Sequence, residues 1–515
     1  MKKILLINPR QGWRPPLGLL YVASCLREAG HRVKVVEFTD EEYFPGANRS
    51  RWRDVARDEP DVVGLGIISW NRKAAKDIIR DLRKLWPEKV IVCGGKDPTF
   101  KPGVYLQEGL ADFVVLHEGE ETMPELVRAL DAGEDARRLP GLAFRENGEV
   151  RVNPGRKPLA LDKIPYPALD LVDYDHDIDI RLGGIPGHFV RTGFLMASRG
   201  CPYQCRFCTD PVRAVYRERS VDDIVAEIKW QMDHWRIDGL CLMDDLFYFR
   251  ESRVREFCER ILRERIKLKL YAQARADILD ADKGTLALMK KAGFIQLGLG
   301  VESGSQRMLD IMNKKITLAQ ARNAVLKIRA AGMIAYVFYI VGFPEETEED
   351  LALTEAYLKE NRPTFVTVNY FAALPGTDYF RDKEDRDLEE RSYSLSEAPR
   401  EFSSRVPRET IMKYRRRFLA LARKSANLHL LTYPSFWLWI AGVPFLKLPL
   451  LWRSVKIQRR SLKYASYFDA MRTALINDRI YGKGTDDPNR RFFRDQRNAI
   501  GKFGTDYRPG GKSGF

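Results

Sequence analysis

Cysteine and histidine are scarce, seven and six in 515 residues. Cys25, Cys93, Cys241 and Cys258 lie scattered among apolar neighbours, which leaves no disulfide framework and fits a reducing compartment. The most apolar stretch, between His429 and Lys447, is uncharged for seventeen residues and broken by Pro434 and Pro444, with Pro449 just beyond. That is short of a spanning helix, which takes about 20 apolar residues without such breaks. The opening MKKILLINPR stops being apolar at Asn8-Pro9-Arg10, so a secretory leader is not expected and a cytoplasmic location is. No internal repeat or low-complexity block is evident. Most of the chain also lacks net charge: residues 401–515 carry 24 Lys and Arg against 8 Asp and Glu, leaving 62 against 63 in the first 400. The formal +15 is therefore a property of the tail, and a nucleic-acid partner is not expected for the body of the protein.

What is present is a long chain, 44% hydrophobic, enough for more than two domains with real cores. Three of the seven cysteines, Cys201, Cys205 and Cys208, fall within eight positions of the segment SRGCPYQCRFC. Soft thiolates select iron-sulfur clusters or zinc. A structural zinc site wants four closed ligands, and no fourth Cys or His stands near in sequence. Three thiolates on one short loop suit three irons of a [4Fe-4S] cluster and leave the fourth iron open; ordinary buried cysteines are the bland alternative.

This C-x3-C-aromatic-C loop, with Phe207 as the aromatic residue, resembles the signature of the radical S-adenosylmethionine (SAM) superfamily. The resemblance implies that SAM chelates the open iron through its amino and carboxylate groups. It further implies that an electron from the cluster, delivered by a donor such as flavodoxin or ferredoxin, splits SAM into methionine and a 5'-deoxyadenosyl radical.

Residues 1–140 alternate short apolar runs (KILLIN, HRVKVVEF, DVVGLGII, KVIVCGG, DFVVLH) with amphipathic helical stretches, the pattern of a doubly wound parallel sheet. Ligands of such sheets sit at strand carboxyl ends, here Ser69-Trp70-Asn71, Gly94-Gly95 and Glu118-Gly119-Glu120. The segments PPLGLLYVASCL, VGLGIISWN, VCGGKDPTF and HEGEET resemble the cobalamin-binding domain that precedes many radical SAM barrels. That resemblance makes those eight residues candidate cobalamin contacts. None of the six histidines has Asp two residues before it, so a D-x-H-x-x-G ligand is missing and any cobalamin is expected base-off without a histidine ligand. Trp70 is then a candidate shield of the lower corrin face, with simple packing as the alternative.

Residues 141–190, rich in Pro and Gly, read as a linker, 191–395 as a partial (β/α)6 barrel and 396–515 as a mostly helical C-terminal domain. In the barrel, Asp244 and Asp245 end a strand where the radical SAM family has a Gly-Gly-Glu-like element for the SAM amino group, a departure that leaves their roles open. Glu302 and Ser303 match the family's ribose position, and the stretch from Ile340 through Gly342 its adenine position. Arg275 is a candidate for the SAM carboxylate, which a guanidinium can grip in bidentate fashion.

The tail sets Tyr433, Phe436, Trp437, Trp439 and Trp452 beside Arg453, Lys456, Arg459 and Arg460. It reads either as a segment at the inner face of a membrane or as a cover that encloses substrate. Both readings point to a large apolar or lipid-like substrate. The architecture resembles the family of class B methyltransferases and the anaerobic magnesium-protoporphyrin monomethyl ester cyclase. Methylation of an unactivated carbon is the expectation, a radical cyclase or carbon-carbon coupling enzyme the alternative, and a non-catalytic cobalamin or redox sensor a third.

Overall fold

The computed structural model describes residues 1–9, 15–38, 48–174, 191–209, 215–381, 385, 386, 388 and 404–431. The first sheet has seven strands in the order β2-β1-β3-β4-β5-β6-β7. These are β1 (Lys3–Asn8), β2 (Arg32–Glu37), β3 (Val62–Gly66), β4 (Val90–Gly94), β5 (Phe113–Val115), β6 (Leu142–Glu146) and β7 (Glu149–Val152). The first five are parallel. Helices cover both faces, so strand residues of either parity are buried: Leu5 and Ile7 join one core, Ile4 and Leu6 the other.

The strands β6 and β7 fall in the stretch read as linker. They form an antiparallel hairpin that extends the first sheet. Asn147 and Gly148 between them both take positive φ, 49° and 86°, which a two-residue hairpin turn of this hand requires. An Asn-Gly pair between alternating runs is a hairpin signal, and the Pro and Gly of the segment masked it.

The second body is a six-stranded, all-parallel sheet in the order β15-β14-β13-β12-β11-β8. Its strands are β8 (Thr192–Leu195), β11 (Gly239–Leu242), β12 (Lys269–Ala274), β13 (Phe294–Glu302), β14 (Ile334–Val341) and β15 (Phe365–Tyr370). Between β8 and β11 a two-stranded ribbon pairs β9 (Ser198–Arg199) with β10 (Arg217–Glu218) in antiparallel register. The helix Arg408–Leu431 closes the β15 edge: Ile411, Tyr414 and Phe418 are buried, Arg415 Nε donates to the Val368 carbonyl at 2.8 Å, and Arg417 pairs with Glu355 at 2.7 Å. Part of the tail's positive charge thus clips a helix to the barrel. The aromatic and basic candidates from Tyr433 to Arg460 lie outside the described residues, and no described helix is long and apolar enough to cross a membrane.

Candidate active site

The cysteine loop starts where β9 ends. Gly200 has φ +82°, and a Cβ there would stand 2.0 Å from the Val215 carbonyl oxygen, so the tight exit from the ribbon admits only glycine. Within the loop, Cys208 N–H donates to the Cys205 carbonyl at 3.1 Å. The loop is tied outward as well: Arg206 N–H donates to the Met312 carbonyl at 3.0 Å, and Asn313 Nδ2 to the Gln204 carbonyl at 2.7 Å. Cys205 is buried, Cys201 and Cys208 half-buried, and none of the seven cysteines forms a disulfide. Burial pushes the Cys201 thiol up, against a hydrogen bond from the Tyr203 backbone; Cys205 and Asp245 add to the rise and Arg275 opposes it.

Among the described residues no group of three or more His, Cys, Asp or Glu converges on a single ion. A cluster asks for a different arrangement, in which each thiolate takes a different iron. Three soft donors on one pinned loop fit the cluster read from the sequence.

Around this loop stand most of the residues expected to hold SAM. Phe207 and Ile340 pack on one apolar cluster with Met308, Met312, Phe343 and Phe371, the last two rings stacked 4.2 Å apart. Gly342, at φ +93°, presents its N–H to Glu346 Oε2 at 2.6 Å. Glu302 adopts φ +71° at a register shift of β13 and accepts from Lys314 Nζ at 3.0 Å. Ser303 Oγ accepts from the Ser305 N–H at 3.1 Å and lies 3.3 Å from Thr354 Oγ1. Asp245 is exposed near Cys201, whereas Asp244 is buried and accepts the N–H groups of Ala197 and Ser198 at 2.6 and 3.0 Å. Burial raises Asp244 to about 6, against those backbone donors and Arg253. It braces the crossing from β8 to β9. Arg275 is buried and heavily committed: Nε donates to Asp277 at 2.9 Å, Nη2 to the Lys314 carbonyl at 2.6 Å, and the guanidinium lies 3.5 Å from the Tyr203 ring centroid.

Lys314 and Glu346 belong to this site and nothing in the sequence marked them. Lys314 sits in a turn between Asn313 and Lys315, both at positive φ, with Nζ 5.7 Å from the Phe207 ring centroid. Burial works against its charge, but Glu302 and Cys205 outweigh it and hold the ammonium above its ordinary value. Glu346 is pushed up to about 8 by burial, with the Gly342 N–H opposing. The folded state therefore keeps a proton that the unfolded chain releases near 4.5. Stability contributed by that proton is complete at acid pH and falls as pH rises from about 4.5 through about 8. A pH series of urea unfolding should show a shallower decline across that window for Glu346→Gln than for the wild type; equal slopes would remove the assignment.

The cobalamin candidates converge because β3, β4 and β5 are neighbours. Ser69–Asn71 form a single helical turn after β3, with Asn71 Oδ1 accepting from the Ile68 N–H at 2.9 Å and Trp70 half-buried. After β4, Gly95 has φ +105° and a Cβ there would stand 2.4 Å from the Ile67 carbonyl oxygen, whereas one at Gly94 would meet only ordinary contacts. Gly95 is thus demanded by the packing of two loops, while Gly94 leaves room. After β5, Glu118 and Glu120 turn toward the other body: Arg199 Nη1 lies 2.7 Å from Glu120 Oε1 and 3.4 Å from Glu118 Oε1, and Arg217 also donates to Glu118 Oε1. Gly119 between them faces Val22, whose Cγ2 would lie 3.2 Å from an added Cβ.

A second bridge follows β15. Arg206 of the cysteine loop pairs with Asp378 at 3.1 Å and lies over Tyr379, while Gly376 sits against the Phe100 ring and Asp385 pairs with Arg72 and Lys101 at 2.5 and 3.0 Å.

A cysteine loop at the strand ends of a parallel half-barrel, its launching ribbon fastened through Arg199 and Arg217 to the loop after β5 of a doubly wound sheet, defines a two-body α/β protein. Residues 4–127 match the model of the B12 binding domain and residues 195–358 that of the radical SAM superfamily. An uncharacterized methyltransferase of Pyrococcus horikoshii is 30% identical over 371 residues, 70% of this chain and 77% of that protein. The anaerobic magnesium-protoporphyrin IX monomethyl ester cyclase of Cereibacter sphaeroides is 27% identical over 72% of this chain and 61% of its own length. The solved radical SAM methyltransferase TsrM from Kitasatospora setae, with cobalamin and a [4Fe-4S] cluster bound, shares the fold with a TM-score of 0.58 at 19% identity, covering 72% of this chain and 73% of that one. The chain belongs to the radical SAM enzymes that carry a B12 binding domain.

Proposed function

We propose that this enzyme transfers a methyl group to an unactivated carbon of a large apolar substrate, using a [4Fe-4S] cluster, SAM and base-off cobalamin. The observation that carries it is the fastening of the ribbon that launches the cysteine loop to the strand-end loop 118–120 through Arg199 and Arg217, on the sheet whose neighbouring strands end in loops 69–71 and 94–95. Bound there, the cluster and SAM supply a 5'-deoxyadenosyl radical and the corrin supplies methyl. Cys201, Cys205 and Cys208 hold the cluster from a loop pinned at Gly200. Glu302, ion-paired with Lys314, would accept from the ribose hydroxyls, and the backbone around Gly342 would border the adenine slot lined by Phe207 and Ile340. Trp70, half-buried in the turn after β3, would lie against the lower face of the corrin. The interface would serve to exclude water and to hold the reacting carbon between the two cofactors.

The test is anaerobic reconstitution with iron, sulfide, SAM, cobalamin and a reduced flavodoxin or ferredoxin, followed by comparison of lipid and metabolite extracts with and without the enzyme. A product heavier by one CH2, two SAM consumed per turnover and a bound-cobalamin spectrum that changes in Trp70→Ala are the expected results. The likeness to the Cereibacter sphaeroides cyclase favours a second reading, cyclisation without methyl transfer, which the product mass distinguishes. Failure to form 5'-deoxyadenosine from SAM under reduction would overturn both.

A further inference from the structure

Arg199 and Arg217 are direct register partners in the β9–β10 ribbon, so their side chains project from the same face. Two like charges directly opposite in an antiparallel pair push it apart. Here both are neutralised from outside the barrel: Glu120, with its side chain only 4% exposed, holds Arg199, and Glu118 holds Arg217 and reaches Arg199. The neutralising carboxylates belong to the loop after β5 of the cobalamin sheet. Tyr21, from the helix Leu17–Glu28 of the same body, lies with its ring centroid 4.9 Å from the Arg199 guanidinium. Arg217 Nη1 adds a bond to the Leu159 carbonyl at 2.6 Å. Immediately beyond Arg199 come Gly200 and Cys201. The two facing arginines of the ribbon that launches the cysteine loop are thus balanced by carboxylates of the B12 binding body docked on it.

We propose that Glu118 and Glu120 are positioning residues that act through Arg217 and Arg199, so that the cobalamin body sets the geometry of the cluster loop. This rests on the reading that Cys201, Cys205 and Cys208 carry the cluster, but its first measurement does not need the cluster. In the full-length protein free of cofactors, the double variant Glu118→Gln, Glu120→Gln should exchange the amide hydrogens of residues 198–199 and 217–218 about tenfold faster or more, since breaking a buried pair leaves uncompensated charge. In the reconstituted protein it should lose iron to a chelator several-fold faster, with an altered electron paramagnetic resonance spectrum of the reduced cluster. The charge exchange Glu118→Arg with Arg217→Glu should restore slow exchange and iron retention, whereas Glu118→Arg alone should be the loosest of the set. If the double variant does not fold, the single Glu118→Gln variant is read in its place. Unchanged exchange and iron loss would overturn the proposal, as would weakened cobalamin binding with an undisturbed ribbon, which would return the two carboxylates to the corrin. A wild-type protein that takes up no cluster would instead overturn the proposed function and leave the exchange measurement standing.

Discussion

Cys205→Ala should remove the iron-sulfur absorption and bring SAM cleavage below detection, while lowering folding stability by only about 1 kcal/mol. The asymmetry follows from position. Cys205 is the buried member of the three, held between a carbonyl bonded to Cys208 N–H and neighbours tied to Met312 and Asn313, so the loop keeps its path when one sulfur is lost. A cluster short of one of three protein ligands has two irons without protein sulfur, and a loop cannot replace a soft donor with water and retain it. Cys258→Ala is the matching control: Cys258 is also buried, in the barrel core, with a thiol pushed up to about 12 by burial, and its loss should leave iron content unchanged. Iron, visible absorption and 5'-deoxyadenosine are the quantities to measure. Retention of all three in Cys205→Ala would sink the cluster assignment.

Gly200→Ala should be nearly as damaging although it touches no ligand. A residue with a Cβ at φ +82° carries a backbone cost of about 1–2 kcal/mol, and here the added atom would also stand 2.0 Å from the Val215 carbonyl oxygen and 3.1 Å from its carbon. Backbone cannot swing aside as a flexible side chain does. Val215 lies two residues before Arg217, the β10 partner of Arg199, so the shift that relieves the clash unzips the ribbon and displaces Cys201. Iron uptake is expected to fall to a small fraction of wild type with all three cysteines present. Gly30→Ala separates the two causes, because Gly30 has φ +84° with nothing within 4 Å of the added atom. That variant should show the backbone cost alone and full iron uptake; equal iron loss in both would exclude the Val215 contact as the cause.

How far the site could be read ahead of the structure depended on how local its parts are. The cysteine ligands lie within eight residues, and the strand ends bearing Ser69–Asn71 and Gly94–Gly95 follow apolar runs whose burial on both sheet faces leaves a plain hydrophobic signal. Phe207 and Ile340 were separately legible as candidates, and the fold brings them onto one apolar cluster. Lys314 was not legible, because a lysine beside Lys315 in a polar turn has the same local signature as a solvated one until Glu302 and Phe207 are folded against it. Asp244 and Arg275 were legible as charged residues at strand ends. Their partners, the Ala197 and Ser198 amides and Asp277 with the Lys314 carbonyl, were not.

By itself the sequence determined the chemistry available: three thiolates at the spacing of a cluster and the periodicity of two parallel sheets. Those properties are carried by covalent neighbours and by short-range sterics, so they survive without knowledge of the fold. Only the tertiary structure decided what Glu118 and Glu120 face. Arg217 stands 99 residues from Glu118 in sequence, and an ion pair over that separation is set by how two bodies dock, since a charge on a loop carries no local mark of its partner. Docking pairs those two carboxylates with Arg199 and Arg217 of the ribbon that launches Cys201.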